Sequence, residues 1–143
     1  MIDIPRSDIH RFCFPRMWLI GGWLYVALII VLSLIPTPPP VASFPLSDKA
    51  GHFLVYMMLM FWFAQLYREL AWQVCFCLVF ILMGAALEAA QIMVPGRSCE
   101  YADVVANSLG VVLGALAART FAGNFLAFLD AKLGRFIHWC HKL

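Results

Sequence analysis

Eight polar side chains form three groups in a chain that is otherwise rich in apolar residues. Most of them are spaced three or four residues apart within a group, so they share one face if the stretch is helical. In chain order they are Asp48, Lys49, His52, Glu88, Gln91, Arg97, Asp103 and Asn107. Ionisable groups within apolar segments are costly to bury, which makes them candidates for function.

These residue types support two kinds of chemistry. Glu88 and His52 could act as a general acid–base pair on a lipid head group. Lys49 and Arg97 could hold a phosphate or carboxylate while the acidic groups hold an amine, as in recognition of a zwitterionic or amine-bearing head group. The spacing matches no metal-ligand signature, so we predict no metal and no other cofactor.

Glu88 is the most informative of the eight residues. It lies six residues before Val94, which is about 9 Å along a helix that rises about 1.5 Å per residue. A carboxylate at this depth must pair, become protonated or line a cavity. We expect its partner to be His52, Asn107 or Arg97, and we favour a binding site over a purely structural network.

Structural roles are the alternatives for several of these side chains. Asp48 could be the N-cap of a helix. Arg97 could clamp the turn at Pro95-Gly96 by bridging Asp103 or Glu88. Lys49 could be a solvated charge at the membrane interface.

The elements that position these residues are predicted to be membrane spans. Of the 143 residues, 64% are hydrophobic and 13% are charged, against roughly 45–50% and about 25% in ordinary soluble domains. Four apolar runs cover residues 17–35, 50–67, 70–94 and 102–118, and a span needs about 17–25 residues. We therefore predict an all-α fold, an integral membrane four-helix bundle.

Basic residues predict the orientation of this bundle. Eight of the ten Lys and Arg residues flank one side, and Lys49 and Arg97 flank the other. The positive-inside rule then places both termini in the cytoplasm of a multi-pass protein of the plasma (inner) membrane. Residues 1–16 are predicted to be a cytoplasmic tail, residues 17–120 the transmembrane domain, and residues 121–143 a cytoplasmic amphipathic helix.

The C-terminal helix is predicted from one apolar stripe with basic residues opposite. The stripe consists of Phe125, Leu126, Leu129, Leu133, Phe136, Ile137 and Cys140. This pattern is typical of a helix that lies in the membrane interface. We expect an anchor, and docking onto a partner is the alternative.

Small residues recur on the fourth span at Ala106, Gly110 and Gly114. Such a stripe lets two helices approach closely, because no large side chain separates their backbones. It predicts tight packing of the fourth span, and it is also the surface that we assign to a homo-oligomer or to a membrane partner.

Five short stretches carry a family resemblance. They are Ser33-Leu34-Ile35-Pro36, Asp48-Lys49-Ala50-Gly51-His52-Phe53, Glu88-Ala89-Ala90-Gln91, Val94-Pro95-Gly96-Arg97 and Asp103-Val104-Val105-Ala106-Asn107-Ser108-Leu109-Gly110. In this order and spacing the sequence resembles the VanZ-like family, which is named for a teicoplanin-resistance protein. The resemblance implies a small multi-spanning membrane protein that is linked to lowered glycopeptide susceptibility through the cell envelope. It assigns no catalytic residue.

We therefore predict that the eight polar residues form an outward-facing pocket. The pocket is expected to bind a membrane lipid head group or a lipid-linked envelope precursor, and thereby to affect the envelope or glycopeptide susceptibility. One alternative is a membrane-embedded enzyme that acts on a lipid or lipid-linked precursor, with His52 or Glu88 as the general base. Another is a non-catalytic subunit of a membrane complex. No nucleic-acid partner is expected.

Overall fold

The computed structural model describes residues 11–36, 45–95, 97 and 99–140. This part of the chain forms helices and no strands, so the all-α prediction is confirmed. The helices are α1 (Pro15–Ser33), α2 (Pro45–Leu66), α3 (Leu70–Gln91), α4 (Tyr101–Ala117) and α5 (Phe125–Cys140). A short 3₁₀ turn, Phe121–Asn124, precedes α5.

Each predicted span coincides with one of the helices α1–α4. Among the described residues, α1 and α3 are long and apolar enough to cross a membrane, and α4 is a shorter apolar helix of 17 residues. The largest difference concerns α2, which begins at Pro45 rather than at residue 50. Proline suits the first turn of a helix because its φ angle is preset and its missing N–H needs no partner there. Asp48 therefore lies inside the first turn, and the N-cap alternative for it is wrong.

The α2 helix is the centre of the fold and packs against α1, α3, α4 and α5. Its most extensive contact is with α4. A Cβ atom on Gly110 would collide with the backbone carbonyl of Phe53, and one on Gly114 would collide with that of Met57. The two helices thus reach backbone contact, as the small-residue stripe predicts. Because α2 covers both glycines, a further partner at this stripe stays a prediction.

Aromatic rings form the middle of the core. Phe63 of α2 is fully buried, and its ring centroid lies 5.4 Å from that of Trp23, 4.9 Å from that of Phe76 and 5.1 Å from that of Phe80. Tilted and edge-to-face pairs at these distances are the favoured arrangements of aromatic side chains. The core therefore joins α1, α2 and α3 around one ring.

Large apolar side chains also cover the outside of the helices. Leu24 of α1 is 64% exposed, Leu82 of α3 is 67% exposed and Leu109 of α4 is 54% exposed. Soluble monomers rarely expose continuous apolar surface of this kind. The exterior is typical of helices that face lipid.

The helices α1–α4 alternate in direction, and this creates two ends. Gln91 Nε2 donates a hydrogen bond of 3.1 Å to the Ser33 carbonyl, which joins the C-termini of α3 and α1. Trp62 Nε1 donates a hydrogen bond of 3.1 Å to the Trp18 carbonyl, which joins the C-terminal part of α2 to the N-terminal part of α1. We call the first end the polar end and the other the α5 end.

The α5 helix docks through one side only. Leu126 is 1% exposed, and its backbone N–H donates to Gln65 Oε1 at 2.8 Å. Phe125 and Phe136 are 51% and 62% exposed. Part of the predicted apolar stripe therefore packs on the other helices, and part of it is exposed.

Asp130 joins α5 to the start of α1. Its carboxylate accepts hydrogen bonds from the backbone N–H of Cys13 at 2.6 Å, from that of Phe14 at 3.1 Å and from Trp18 Nε1 at 2.8 Å. The side chain of Phe14 cannot cap α1, so a carboxylate from another helix satisfies the N–H groups there. Burial raises the pKa of Asp130, but these donors outweigh it and lower the pKa below its ordinary value. We call this contact the Asp130 latch.

Candidate functional site

Two helices bring buried polar side chains to the polar end. On α3, Gly84, Glu88 and Gln91 share one face because they are spaced at i, i+4 and i+7. Glu88 is 2% exposed and Gln91 is 3% exposed. On α4, Asp103 and Asn107 are also buried. Half of the residues proposed from the sequence therefore lie buried at one end of the fold.

Glu88 is held by the segment that precedes α4. Its Oε1 accepts a hydrogen bond of 2.8 Å from the backbone N–H of Glu100. This is the only hydrogen bond of the Glu88 side chain within the part of the chain that the structure describes. A backbone amide thus takes the place that we expected for the side chain of His52, Asn107 or Arg97.

Arg97 connects the turn between α3 and α4 to α1. Its backbone N–H donates to the Val94 carbonyl at 3.1 Å, which closes the tight turn expected at Pro95. Its guanidinium Nη2 donates to the Leu32 carbonyl at 3.0 Å. The ion pairs among the described residues do not include Arg97, so the alternative in which it bridges Asp103 or Glu88 is wrong.

Lys49 is paired with two acids of the polar end. Its Nζ lies 2.6 Å from Glu100 Oε2 and 3.4 Å from Asp103 Oδ1. The hydrogen bond from Lys49 lowers the pKa of the Glu100 carboxyl. Glu100 therefore has two roles, because its side chain pairs with α2 and its backbone holds Glu88. The sequence did not place Glu100 in the site.

The Lys49 pair leads to a prediction about titration. In Lys49→Gln the pKa of Glu100 should rise towards its ordinary value, because the hydrogen-bonding ammonium is gone. The stability that this pair contributes is present above the ordinary pKa of a glutamate and is lost as the pH falls through the lowered pKa. Carbon-13 NMR of glutamate-labelled protein would measure the shift. Lys132→Gln, at the α5 end, is the control and should leave Glu100 unchanged; an equal shift in both variants would contradict the pairing.

Asn107 lies where α2, α3 and α4 meet. A Cβ atom on Gly84 would lie 3.3 Å from Asn107 Nδ2 and 3.2 Å from Tyr56 Cε1, so glycine is what lets these side chains approach α3. Asn107 Oδ1 is buried and has no hydrogen-bond partner among the described residues. An unpaired buried acceptor costs about 1–3 kcal/mol, and in a native structure it calls for an explanation such as a ligand.

Tyr56 and Gly84 are parts of the polar end that the sequence did not single out as functional. Tyr56 is 2% exposed, and its hydroxyl lies within electrostatic range of the Glu88 carboxylate. Gly84 lies four residues before Glu88, and this spacing is the signal that could have revealed it. Both residues shape the space around Glu88 and Asn107.

His52 and Asp48 flank this group on the first turns of α2. His52 is half-buried and lies one turn before Tyr56. No hydrogen bond joins it to Glu88 among the described residues, so the predicted acid–base pair stays a prediction. The side chain of Asp48 lies outside the described residues. In the same part of the chain, no three His, Cys, Asp or Glu side chains form a group that could hold a metal ion.

Comparison with known families gives one match. A family model described as VanZ/LLP1 matches residues 22–128, a range that includes the whole polar end. The chain belongs to the VanZ/LLP1 family. The resemblance carried by the sequence motifs is thereby confirmed. No curated protein and no solved structure matches this VanZ/LLP1 chain.

The motifs of this VanZ/LLP1 protein come together in space. Gln91 contacts the Ser33 carbonyl of the first motif, and Lys49 of the second motif pairs with Asp103 of the last. Arg97 contacts the Leu32 carbonyl beside the first motif. Stretches that are distant in the sequence therefore build one end of the fold.

Proposed function

We propose that this VanZ/LLP1 protein is an integral plasma-membrane protein in which α1–α4 form a four-helix bundle. The exposed apolar side chains of α1 and α3 support membrane insertion, because both helices are long enough to cross the hydrocarbon core. The excess of Lys and Arg at the α5 end supports a cytoplasmic location of that end. The polar end then faces outward.

In this orientation the polar end binds the head group of a membrane lipid or of a lipid-linked envelope precursor. Acids are in excess, since Glu88, Glu100 and Asp103 lie there. Lys49 and Arg97 are the cations. The acid excess favours a ligand with a protonated amine, and the two cations suit a neighbouring phosphate or carboxylate.

The observation that carries this proposal is the incomplete hydrogen bonding of Glu88 and Asn107. Both side chains are 2% exposed. Asn107 Oδ1 has no partner among the described residues, and Glu88 has one. A carboxylate can accept about four hydrogen bonds, and an ammonium group donates three. A primary ammonium therefore has enough donors for both acceptors.

Head-group binding should depend on Glu88 and Asn107. Native mass spectrometry of the purified protein would compare phosphatidylethanolamine, phosphatidylcholine and phosphatidylglycerol. Phosphatidylethanolamine should bind best, because choline carries the same charge without N–H donors. Glu88→Gln and Asn107→Ala should each weaken its binding by at least about tenfold, since a hydrogen bond to a charged group is worth about 1.5–3 kcal/mol.

Ser108→Ala is the matched control for Asn107→Ala. Ser108 is the next residue of α4, and its hydroxyl donates to the Val104 carbonyl at 2.8 Å, within its own helix. This variant should bind phosphatidylethanolamine like the wild type. Equal binding of the choline and ethanolamine lipids, or unchanged binding in Glu88→Gln and Asn107→Ala, would contradict the proposed site.

The same variants test the link to the cell envelope. Expression of the wild-type protein in a susceptible host should lower susceptibility to teicoplanin. Glu88→Gln and Asn107→Ala should abolish this effect while the protein remains folded and inserted in the membrane. If both variants lower teicoplanin susceptibility as much as the wild type does, the phenotype does not depend on the polar end.

A further inference from the structure

The α5 helix exposes aromatic side chains along one side. Phe125, Phe128 and Phe136 are 51%, 54% and 62% exposed. Together with Lys132 they share a side of the helix that is turned by about 80–160° from the docked Leu126, at about 3.6 residues per turn. We call Phe125, Phe128, Lys132 and Phe136 the aromatic face. It points away from Leu126.

The Asp130 latch sets the position of this face. Asp130 accepts its backbone hydrogen bonds from Cys13 and Phe14, directly before α1 begins at Pro15. Because α1 is long and apolar enough to cross a membrane, its first residue lies where the chain enters the bilayer. The α5 helix is therefore held at the level of the membrane surface.

The surface around α5 is basic. In the described part of the chain, the α5 end carries the basic residues Arg11, Arg16, Arg68, Arg119, Lys132 and Arg135. The acids of this end in the same part of the chain are Glu69 and Asp130. The Asp130 carboxylate is enclosed by three N–H donors. The excess of positive charge is complementary to anionic lipid head groups.

We propose that the aromatic face of α5 lies in an anionic lipid surface. The phenylalanine rings enter the boundary between head groups and acyl chains, and the basic side chains around them bind phosphates. Lys132 Nζ lies 4.6 Å from the centroid of the Phe128 ring, a cation–π contact that holds the charge beside the ring. This inference rests on the membrane insertion proposed above and not on the head-group site at the polar end.

Brominated lipids test which side of α5 faces the acyl chains. Phe128→Trp and the control Ile137→Trp each add one indole to an exposed position of α5. The two positions are nine residues apart and therefore lie on opposite sides of the helix, at about 3.6 residues per turn. In nanodiscs of phosphatidylcholine and phosphatidylglycerol with brominated chains, the fluorescence added at 128 should be quenched at least about twofold more than that added at 137, because an interfacial helix buries its apolar face about 5–10 Å deep. Equal quenching, or stronger quenching at 137, would overturn the proposal.

Amide hydrogen exchange tests whether the basic side chains of α5 bind anionic lipid. Amides of residues 125–137 should exchange more slowly in nanodiscs that contain phosphatidylglycerol than in those of phosphatidylcholine alone. The double variant Lys132→Gln/Arg135→Gln should lose this difference. Protection that needs a co-purified protein instead of phosphatidylglycerol would assign the face to a protein partner and overturn the lipid assignment. Glu88→Gln should leave both results unchanged, so failure of the head-group site is distinguishable from failure here.

Discussion

Gly114→Ala should destabilise the protein by about 2 kcal/mol, as overpacking of a close contact does. The added methyl group would collide with the Met57 carbonyl of α2. A backbone carbonyl cannot rotate away as a side chain would, so α2 and α4 must separate. Separation loosens the most extensive helix contact of the fold, and it outweighs the gain in helix propensity from alanine, which is about 0.8–1 kcal/mol. Gly110→Ala should act in the same way against Phe53.

Gly51→Ala is the matched control for this experiment. Gly51 lies in α2, and a Cβ atom there would meet nothing within 4 Å. Alanine should therefore be neutral or should stabilise the helix by about 0.5–1 kcal/mol. Thermal unfolding in a mild detergent, followed by circular dichroism, compares the three variants. If the unfolding temperature of Gly114→Ala is no lower than that of Gly51→Ala, the backbones of α2 and α4 are not in direct contact, and the prediction is wrong.

Asp130→Ala should destabilise the α5 end by about 3 kcal/mol, since each N–H group left without its partner in a buried position costs about 1–3 kcal/mol. Three donors lose their acceptor in this variant. We expect α5 to undock while α2 and α4 keep their contact. Hydrogen exchange would then show loss of protection in α5 and at the start of α1, with little change in α4.

Two comparisons make this result specific. Trp18→Phe removes one of the three donors and should have a smaller effect, whereas Lys132→Gln changes an exposed residue of the same helix and should have almost none. The lowered pKa of Asp130 adds a pH dependence: the latch is at full strength above the ordinary pKa of an aspartate and weakens as the pH falls through the lowered value. Acidification that unfolds α5 equally in the wild type and in Asp130→Ala would show that another group is responsible.

The positions of α1–α4 could be predicted because each of these helices is a long apolar run. A span of about 20 residues with few charges has one stable conformation in lipid, since backbone groups must pair within the segment. The close packing of α4 could also be predicted, because Gly110 and Gly114 lack the side chains that keep helices apart. These are local properties of the sequence.

Only some of the contacts of the site could be predicted from the sequence. Spacing on α3 and α4 places Glu88 and Asn107 on faces that meet, and the structure has both of them buried at the polar end. The donor to Glu88 could not be foreseen, because it is the backbone N–H of Glu100 and every residue except proline has one. Which backbone amide serves depends on the path of the turn, and side-chain types do not encode that path.

The role of Asp130 was also beyond prediction. In the sequence, Asp130 is one of several charged residues in a predicted cytoplasmic amphipathic helix, where a charged side chain is expected to be exposed. Its partners lie 112 to 117 residues away. A contact of that sequence separation depends on the packing of every helix between, so helical periodicity in α5 alone gives no sign of it.

The latch also joins parts of the chain that are made at very different times. Cys13 and Asp130 are separated by 117 residues, which is about 6–23 s of synthesis at about 5–20 residues per second. Until α5 emerges, the N–H groups at the start of α1 must be satisfied by other partners such as water. The first of the five helices to be made is therefore the last to be capped.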